Sequence, residues 1–177
     1  HEHIHDPLGM TGVRLEVETH MIEGSTPFIK NITKVINQSG IHIEDFVFAP
    51  LAAAAAVLDK RQKELGVVLV DLGAGTSSLV VYEENTLLHT AVLPLGSSHI
   101  TNDIAIGLRT SIDVAEEIKK RYGTAITEDI KKSESIVVEL DDEQNSVSRK
   151  EVADIISARL DEIMTFVDRE LRKIGRS

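Results

Sequence analysis

Between Val67 and Pro94, apolar runs and polar turns alternate. Val67 to Val70 is an apolar, mostly β-branched run that ends on Asp71. Gly73-Ala74-Gly75 follows, with Thr76, Ser77 and Ser78 behind it. A second apolar run, Leu79 to Tyr82, is turned by Glu83-Glu84-Asn85-Thr86 into a third, Leu87 to Leu93. Short apolar runs bounded by turn residues predict strand, loop, strand, turn, strand. Upstream, Val13, Leu15, Val17, Thr19 and Met21 alternate with Arg14, Glu16, Glu18 and His20, the pattern of a half-buried antiparallel strand. Gly24 breaks that pattern. Pro27 then opens a helix in which Phe28, Ile29, Ile32, Val35 and Ile36 share a face, and Gly40 ends it. Ile41 to Phe48 reads as a buried strand, with a sharp boundary at Ala49-Pro50.

The rest of the chain is mainly helical in period. Leu51 to Lys60 contains five consecutive alanines, Ala52 to Ala56, which predict a helix packed close to a neighbour. A short helix is expected from about Ile100 to Leu108, and a second from Ile112 to Tyr122 behind a capping box at Thr110 to Asp113. Ile136 to Leu140 reads as a strand, and Asp141 to Asn145 as an exposed turn. Ser148-Arg149-Lys150-Glu151 is a second capping box. It starts a long amphipathic helix through Val152, Ile156, Leu160, Ile163, Val167 and Leu171.

Composition narrows the function. The 177 residues are 42% hydrophobic, enough to bury a core, but only 3% aromatic. There is no cysteine, which removes disulfide frameworks, thiolate metal sites and cysteine nucleophiles together. A net charge of −10 without a basic stripe argues against nucleic acid as a partner. The longest apolar run, Phe46 to Leu58, is broken by Pro50 and falls short of the roughly 20 residues of a membrane span. The opening His1 to Asp6 has no signal-peptide character and no initiator Met, so the chain is read as a piece of a longer one. His1, His3 and His5 alternate and could face a metal together, but an ordinary strand or frayed start reads better.

The chemistry concentrates at Asp71-Leu72-Gly73-Ala74-Gly75-Thr76-Ser77. A Walker loop would need a Lys before the Ser/Thr and a helix after it, and a dinucleotide fingerprint would also open a helix. Here a strand follows. What is left is a hairpin loop whose N–H groups and hydroxyls could hold the outer phosphates of a nucleotide, with Asp71 orienting Mg²⁺ through waters. The same residues also make a plain β-hairpin with Asp as turn former, and spacing alone does not separate the two. On physical grounds Glu116, Glu117 and Lys119 form a solvated helix face. His89, His99 and Asp103 suggest a proton relay on paper, but His89 reads as a surface residue. Ser97 and Ser98 lack a nucleophile elbow.

DLGAGTSS between two strands resembles the second phosphate motif of the actin–Hsp70–sugar kinase superfamily. Within it, Asp6 to His20, Phe48 to Ala52, Leu88 to Pro94, Ile100 to Ala105 and Ala115 to Gly123 resemble the FtsA family of bacterial cell-division proteins, in order and over nearly the whole chain. The resemblance implies a partial actin-like ATPase (ribonuclease H-like) fold, α/β, with mixed sheets flanked by helices. Residues 1–23 would end the insertion subdomain peculiar to this family, 24–48 would close the first lobe, and 49–177 would form the second lobe, its upper subdomain at about 96–145. The first phosphate loop, the later adenosine motif and a C-terminal membrane helix would lie outside this chain.

The resemblance also implies ATP and Mg²⁺ as cofactors. Asp71, Gly73, Ala74, Gly75, Thr76 and Ser77 would lie at the phosphates, Asp71 at the metal, and Glu116 and Lys119 at the ribose and adenine. Relatives often carry Glu or Gln before the proline that follows Ala49, to position the attacking water. Ala49 has no side-chain acceptor, so nucleotide is expected to be held with weak hydrolysis or none. The implied role is an adaptor that forms actin-like polymers on the inner face of the cytoplasmic membrane at the division site and tethers the FtsZ ring. An active actin- or Hsp70-like ATPase and a PilM-type pilus assembly protein are the alternatives.

Overall fold

The structure, a computed structural model, describes residues 4, 8–17, 19–131, 133–140 and 143–176. The chain divides into two compact units, His1–Phe48 and Ala49–Ser177. His1, His3 and His5 lie outside the described residues.

Among the described residues, the first unit has one regular element, helix α1 (Thr26–Gln38), with Pro27 in its first turn. The alternating segment at Val13 to Ile22 is not a strand where it is described, and its apolar side chains are exposed, Val13, Leu15, Val17 and Met21 among them. Ile41 to Phe48 is not a strand either. Alternation only offers a face and an edge. A strand needs a neighbour to take its backbone bonds, and all described strands belong to the second unit.

The second unit opens with α2 (Ala49–Val57) and α3 (Lys60–Leu65). An antiparallel meander follows: β1 (Val67–Leu72), β2 (Ser77–Glu83) and β3 (Thr86–Leu93), in spatial order β1-β2-β3. Next come α4 (Ser97–Leu108), α5 (Ile112–Tyr122), the hairpin β4 (Ser135–Leu140) and β5 (Glu143–Ser148), and the long α6 (Arg149–Lys173). Strand β5 replaces part of the turn expected after Leu140. Its polar sequence, Glu-Gln-Asn-Ser-Val-Ser, carries almost no strand signal, and pairing with apolar β4 recruits it.

Two turns show how local chemistry sets the meander. Glu84 and Asn85 both have positive φ, 51° and 59°. That is the conformation a two-residue hairpin turn requires. Their N–H groups donate to the carbonyls of Glu64 and Lys63, each at 3.1 Å, satisfying the open end of α3. Asp59 caps the start of α3, accepting from the Gln62 N–H at 2.7 Å.

Two apolar clusters fill the unit. Leu79, Val81 and Leu93 pack with Val167 of α6. Ile100, Ile104, Ala115, Ile118, Ile136 and Val138 pack with Val152 and Ile156 of the same helix. Val80 alternates to the other face of β2 and is fully buried there, where α2 lies against β1 and β2. Of the five alanines, Ala54 alone is buried. Close packing therefore holds at that one position, and the other alanines contribute helix propensity. Among the described residues, no helix is long and apolar enough to cross a membrane.

Candidate functional site

The loop from Gly73 to Thr76 joins β1 to β2. The Gly73 N–H donates to the Thr76 carbonyl at 3.0 Å and closes the turn. A Cβ on Gly73 would stand 2.8 Å from that carbonyl oxygen, too close for any side chain. The carbonyls of Gly73 and Ala74 face α4. They accept from the N–H groups of Ser97 at 2.9 Å and Ser98 at 2.8 Å. The first amides of α4, which elsewhere could hold an anion, are therefore spent on the loop.

Gly96 makes that clasp possible. It is buried, and a Cβ there would meet the Ala74 and Gly73 carbonyl oxygens at 2.4 and 2.6 Å. Its N–H donates to His99 Nδ1 at 3.1 Å, so the imidazole acts as a cap.

With its carbonyls tied back, the loop turns its amides outward. The N–H groups of Ala74, Gly75 and Thr76 have no acceptor among the described residues, and all three residues are exposed. Nothing stands within 4 Å of where a Gly75 Cβ would be. Asp71, paired across the ladder with Ser78, is exposed beside the loop. Thr76 keeps an exposed hydroxyl. Ser77 does not: it is 1% exposed, and its Oγ donates to the Leu95 carbonyl at 2.7 Å, holding the segment that leads to α4. Unspent N–H donors on exposed loop residues suit an anion. A neighbouring exposed carboxylate suits a hydrated divalent cation beside that anion.

Glu116 and Lys119 are more than a solvated face. They meet Thr101, which is 3% exposed. Lys119 Nζ donates to Glu116 Oε2 at 2.6 Å, to Thr101 Oγ1 at 2.8 Å and to the Ser97 carbonyl at 3.2 Å. The Thr101 hydroxyl donates to Glu116 Oε2 at 2.5 Å. The Lys119 ammonium and the Thr101 hydroxyl together hold the Glu116 carboxyl down at about 2, from an ordinary 4.5. Glu117 sits away from the cluster in a surface pair with Arg121 at 2.7 Å. The loop and the cluster meet at Ser97, whose N–H serves the loop and whose carbonyl serves Lys119.

The relay that His89, His99 and Asp103 suggest does not assemble. Half-buried His89 bonds Glu170 Oε2 at 3.0 Å, linking β3 to α6. Asp103 takes both nitrogens of a forked pair from Arg159 at 2.6 and 2.9 Å, linking α4 to α6. Sequence reasoning missed Gly96, Thr101 and Arg159. A glycine directly before a helix was the only available signal, and it marks a close approach without saying to what.

A glycine hairpin loop in an antiparallel meander is thus clasped to a helix pair that carries the polar cluster, and the fold that holds them is actin-like. The structure superposes on that of MreB5 of Spiroplasma citri bound to ADP with a TM-score of 0.67 at 16% identity, covering 84% of this chain and 48% of that one. The family described as Cell division protein FtsA matches residues 68–177, and the chain belongs to it. Cell division protein FtsA of Bacillus subtilis is 41% identical over 98% of this chain and 40% of its own length. That of Pseudomonas aeruginosa is 40% identical over 98% of this chain and 42% of its own length. The chain thus spans about two-fifths of these relatives.

Two predictions follow from the geometry. Replacing Gly96 by Ala forces a methyl group against two carbonyl oxygens, so Gly96→Ala lowers stability by about 1–3 kcal/mol, measured by urea denaturation. For Glu116 the folded-state pKa is depressed, so its stabilisation is whole above pH 4.5 and is lost as pH falls toward 2. Urea midpoints taken at about pH 5 and about pH 3 will fall less in Glu116→Gln than in the unaltered chain.

Proposed function

We propose that this chain forms one half of a Mg²⁺–ATP site in an actin-like adaptor of bacterial cell division. The observation that carries this reading is the set of unspent amides on the exposed residues Ala74, Gly75 and Thr76, in the loop that the clasp on α4 holds. These amides donate to phosphate oxygens. Asp71 accepts from water bound to Mg²⁺, which supplies the counter-charge for the phosphates. The Glu116 end of the cluster belongs to the sugar side. MreB5, of the same fold, has been solved with ADP bound, which supports nucleotide binding by a chain of this fold.

Ala49, the first residue of α2, has no group to orient water, so the site holds nucleotide and cleaves it slowly if at all. Bound nucleotide then acts by favouring one conformation over another, here a polymer-competent one. The remaining assignments rest on family membership. Residues 1–23 close an insertion subdomain, 24–48 end the first lobe and 49–177 make the second. The region of about 96–145 carries the contact to FtsZ, on the cytoplasmic face of the cell membrane at the division site.

The test is calorimetric titration of Mg-ATP into a full-length protein carrying this chain. Asp71→Ala should weaken binding about 10- to 100-fold; equal affinity would sink the phosphate-site reading. Cosedimentation separates the adaptor from a pilus-platform role: the full-length protein should pellet with FtsZ polymers and leave a pilus peptide in solution. The reverse result would favour the PilM-type alternative.

A further inference from the structure

We infer that His99 is a positioning residue for the glycine loop that works only as a neutral ring, so that a proton taken up on its Nδ1 loosens the clasp. Gly96 is buried, and its N–H donates to His99 Nδ1 at 3.1 Å and to no other acceptor among the described residues. The opposite arrangement, an Nδ1–H donating to the Gly96 carbonyl, has the longer distance of 3.3 Å. That carbonyl already accepts the His99 N–H at 3.0 Å, and the Gly96 N–H would be left bare. A buried donor without a partner costs more than a carbonyl with one bond instead of two. The neutral ring therefore carries its proton on Nε2 and accepts on Nδ1.

Protonation removes this acceptor, since both nitrogens of an imidazolium are donors. It also puts a positive charge in the first turn of α4, the end of a helix that disfavours one. Gly96 leads directly into the Ser97 and Ser98 amides that hold the Gly73 and Ala74 carbonyls, so what disturbs Gly96 reaches the loop. The charged groups on the elements packed against α4 do not replace the lost bond. Lys119 of α5 pairs with Glu116, and Arg159 of α6 pairs with Glu162 and with Asp103, one turn beyond His99. Asp71 stands exposed beside the loop. Among the described residues, none of these side chains bonds the ring. Ordinary carboxylates stay charged where an imidazole titrates, and the second unit has one other histidine, His89. That residue bonds Glu170, so its protonation adds an ion pair and acts with the opposite sign.

Amide hydrogen exchange on a full-length protein carrying this chain tests the inference without any ligand. From about pH 7.5 to about pH 5.5, protection of the Ser97 and Ser98 amides, corrected for the intrinsic rate at each pH, should fall about tenfold. Leu79 and Val81 in β2 should keep theirs. His99→Gln should hold its protection at both pH values, because a glutamine three residues into a helix reaches back to the same N–H at any pH. His99→Leu should be about tenfold less protected at both. Equal protection at both pH values in the unaltered protein, a fall that persists in His99→Gln, or a fall shared by β2 overturns the inference. A second readout rests on the nucleotide reading. Acidification should weaken Mg-tripolyphosphate binding by a larger factor in the unaltered protein than in His99→Gln, protonation of the polyphosphate itself being common to both. The same factor in both overturns the link from His99 to the ligand. If neither protein binds tripolyphosphate or Mg-ATP at the higher pH, the nucleotide reading fails, and exchange alone decides the inference.

Discussion

Two backbone hydrogen bonds, from Ser97 and Ser98 to the carbonyls of Gly73 and Ala74, set the geometry of the second unit. They join the end of one apolar cluster to the start of the other. On one side lies the meander, whose central strand buries Leu79, Val80 and Val81. On the other lies α4, which buries Ile100 and Ile104 against α5 and α6. The clasp is backbone to backbone, so it tolerates little substitution at the crossing point. Gly96 is there because a Cβ would occupy the space of two carbonyl oxygens. The direction of the loop amides follows from this contact, since tying the carbonyls inward leaves the N–H groups facing out.

The clasp would be a weak joint if the two clusters were otherwise independent. Helix α6 makes them one. Its 25 residues span roughly 37 Å at the usual rise. Its first half packs Val152 and Ile156 into the helical cluster, and its second half packs Val167 onto the meander. Polar pairs fix it to both. Arg159 grips Asp103 of α4 through two nitrogens, and Glu170 bonds His89 of β3. Forked guanidinium–carboxylate pairs hold orientation as well as distance. The loop is thus referenced to a helix with which it shares no hydrogen bond among the described residues.

The legible and illegible parts divide along physical lines. The meander, α4, α5 and α6 were readable because their apolar periods match their burial. Leu79 and Val81 face one way and Val80 the other, and Val152, Ile156, Ile163 and Val167 recur at helical spacing. The glycine loop was readable as a turn between strands. Val13 to Ile22 misled because alternation describes a face and says nothing of a partner strand. The capping box at Thr110 lay one residue early, since Ser111 is the residue that caps α5, accepting from the Val114 N–H at 3.3 Å. Strand β5 was hidden because its neighbour, not its composition, makes it a strand. The polar cluster was half legible. Glu116 and Lys119 were found, but Thr101 is a buried hydroxyl whose importance depends on which groups the fold brings to it.

The charges around the loop also limit what it can hold. A Walker loop brings its own lysine to the phosphates. Here the lysine of the cluster, Lys119, has its protons committed within the fold, and the exposed side chain beside the loop is the carboxylate of Asp71. Two like unit charges about 4 Å apart near a protein surface repel by about 4 kcal/mol. An anion arriving bare would meet that repulsion with only neutral amides to offset it. An anion that carries a divalent cation turns the same carboxylate into a partner, because Asp71 then faces the cation's water shell. On the proposed reading, the loop is therefore built for a metal–phosphate pair, with the amides selecting the phosphate and Asp71 selecting the metal that comes with it.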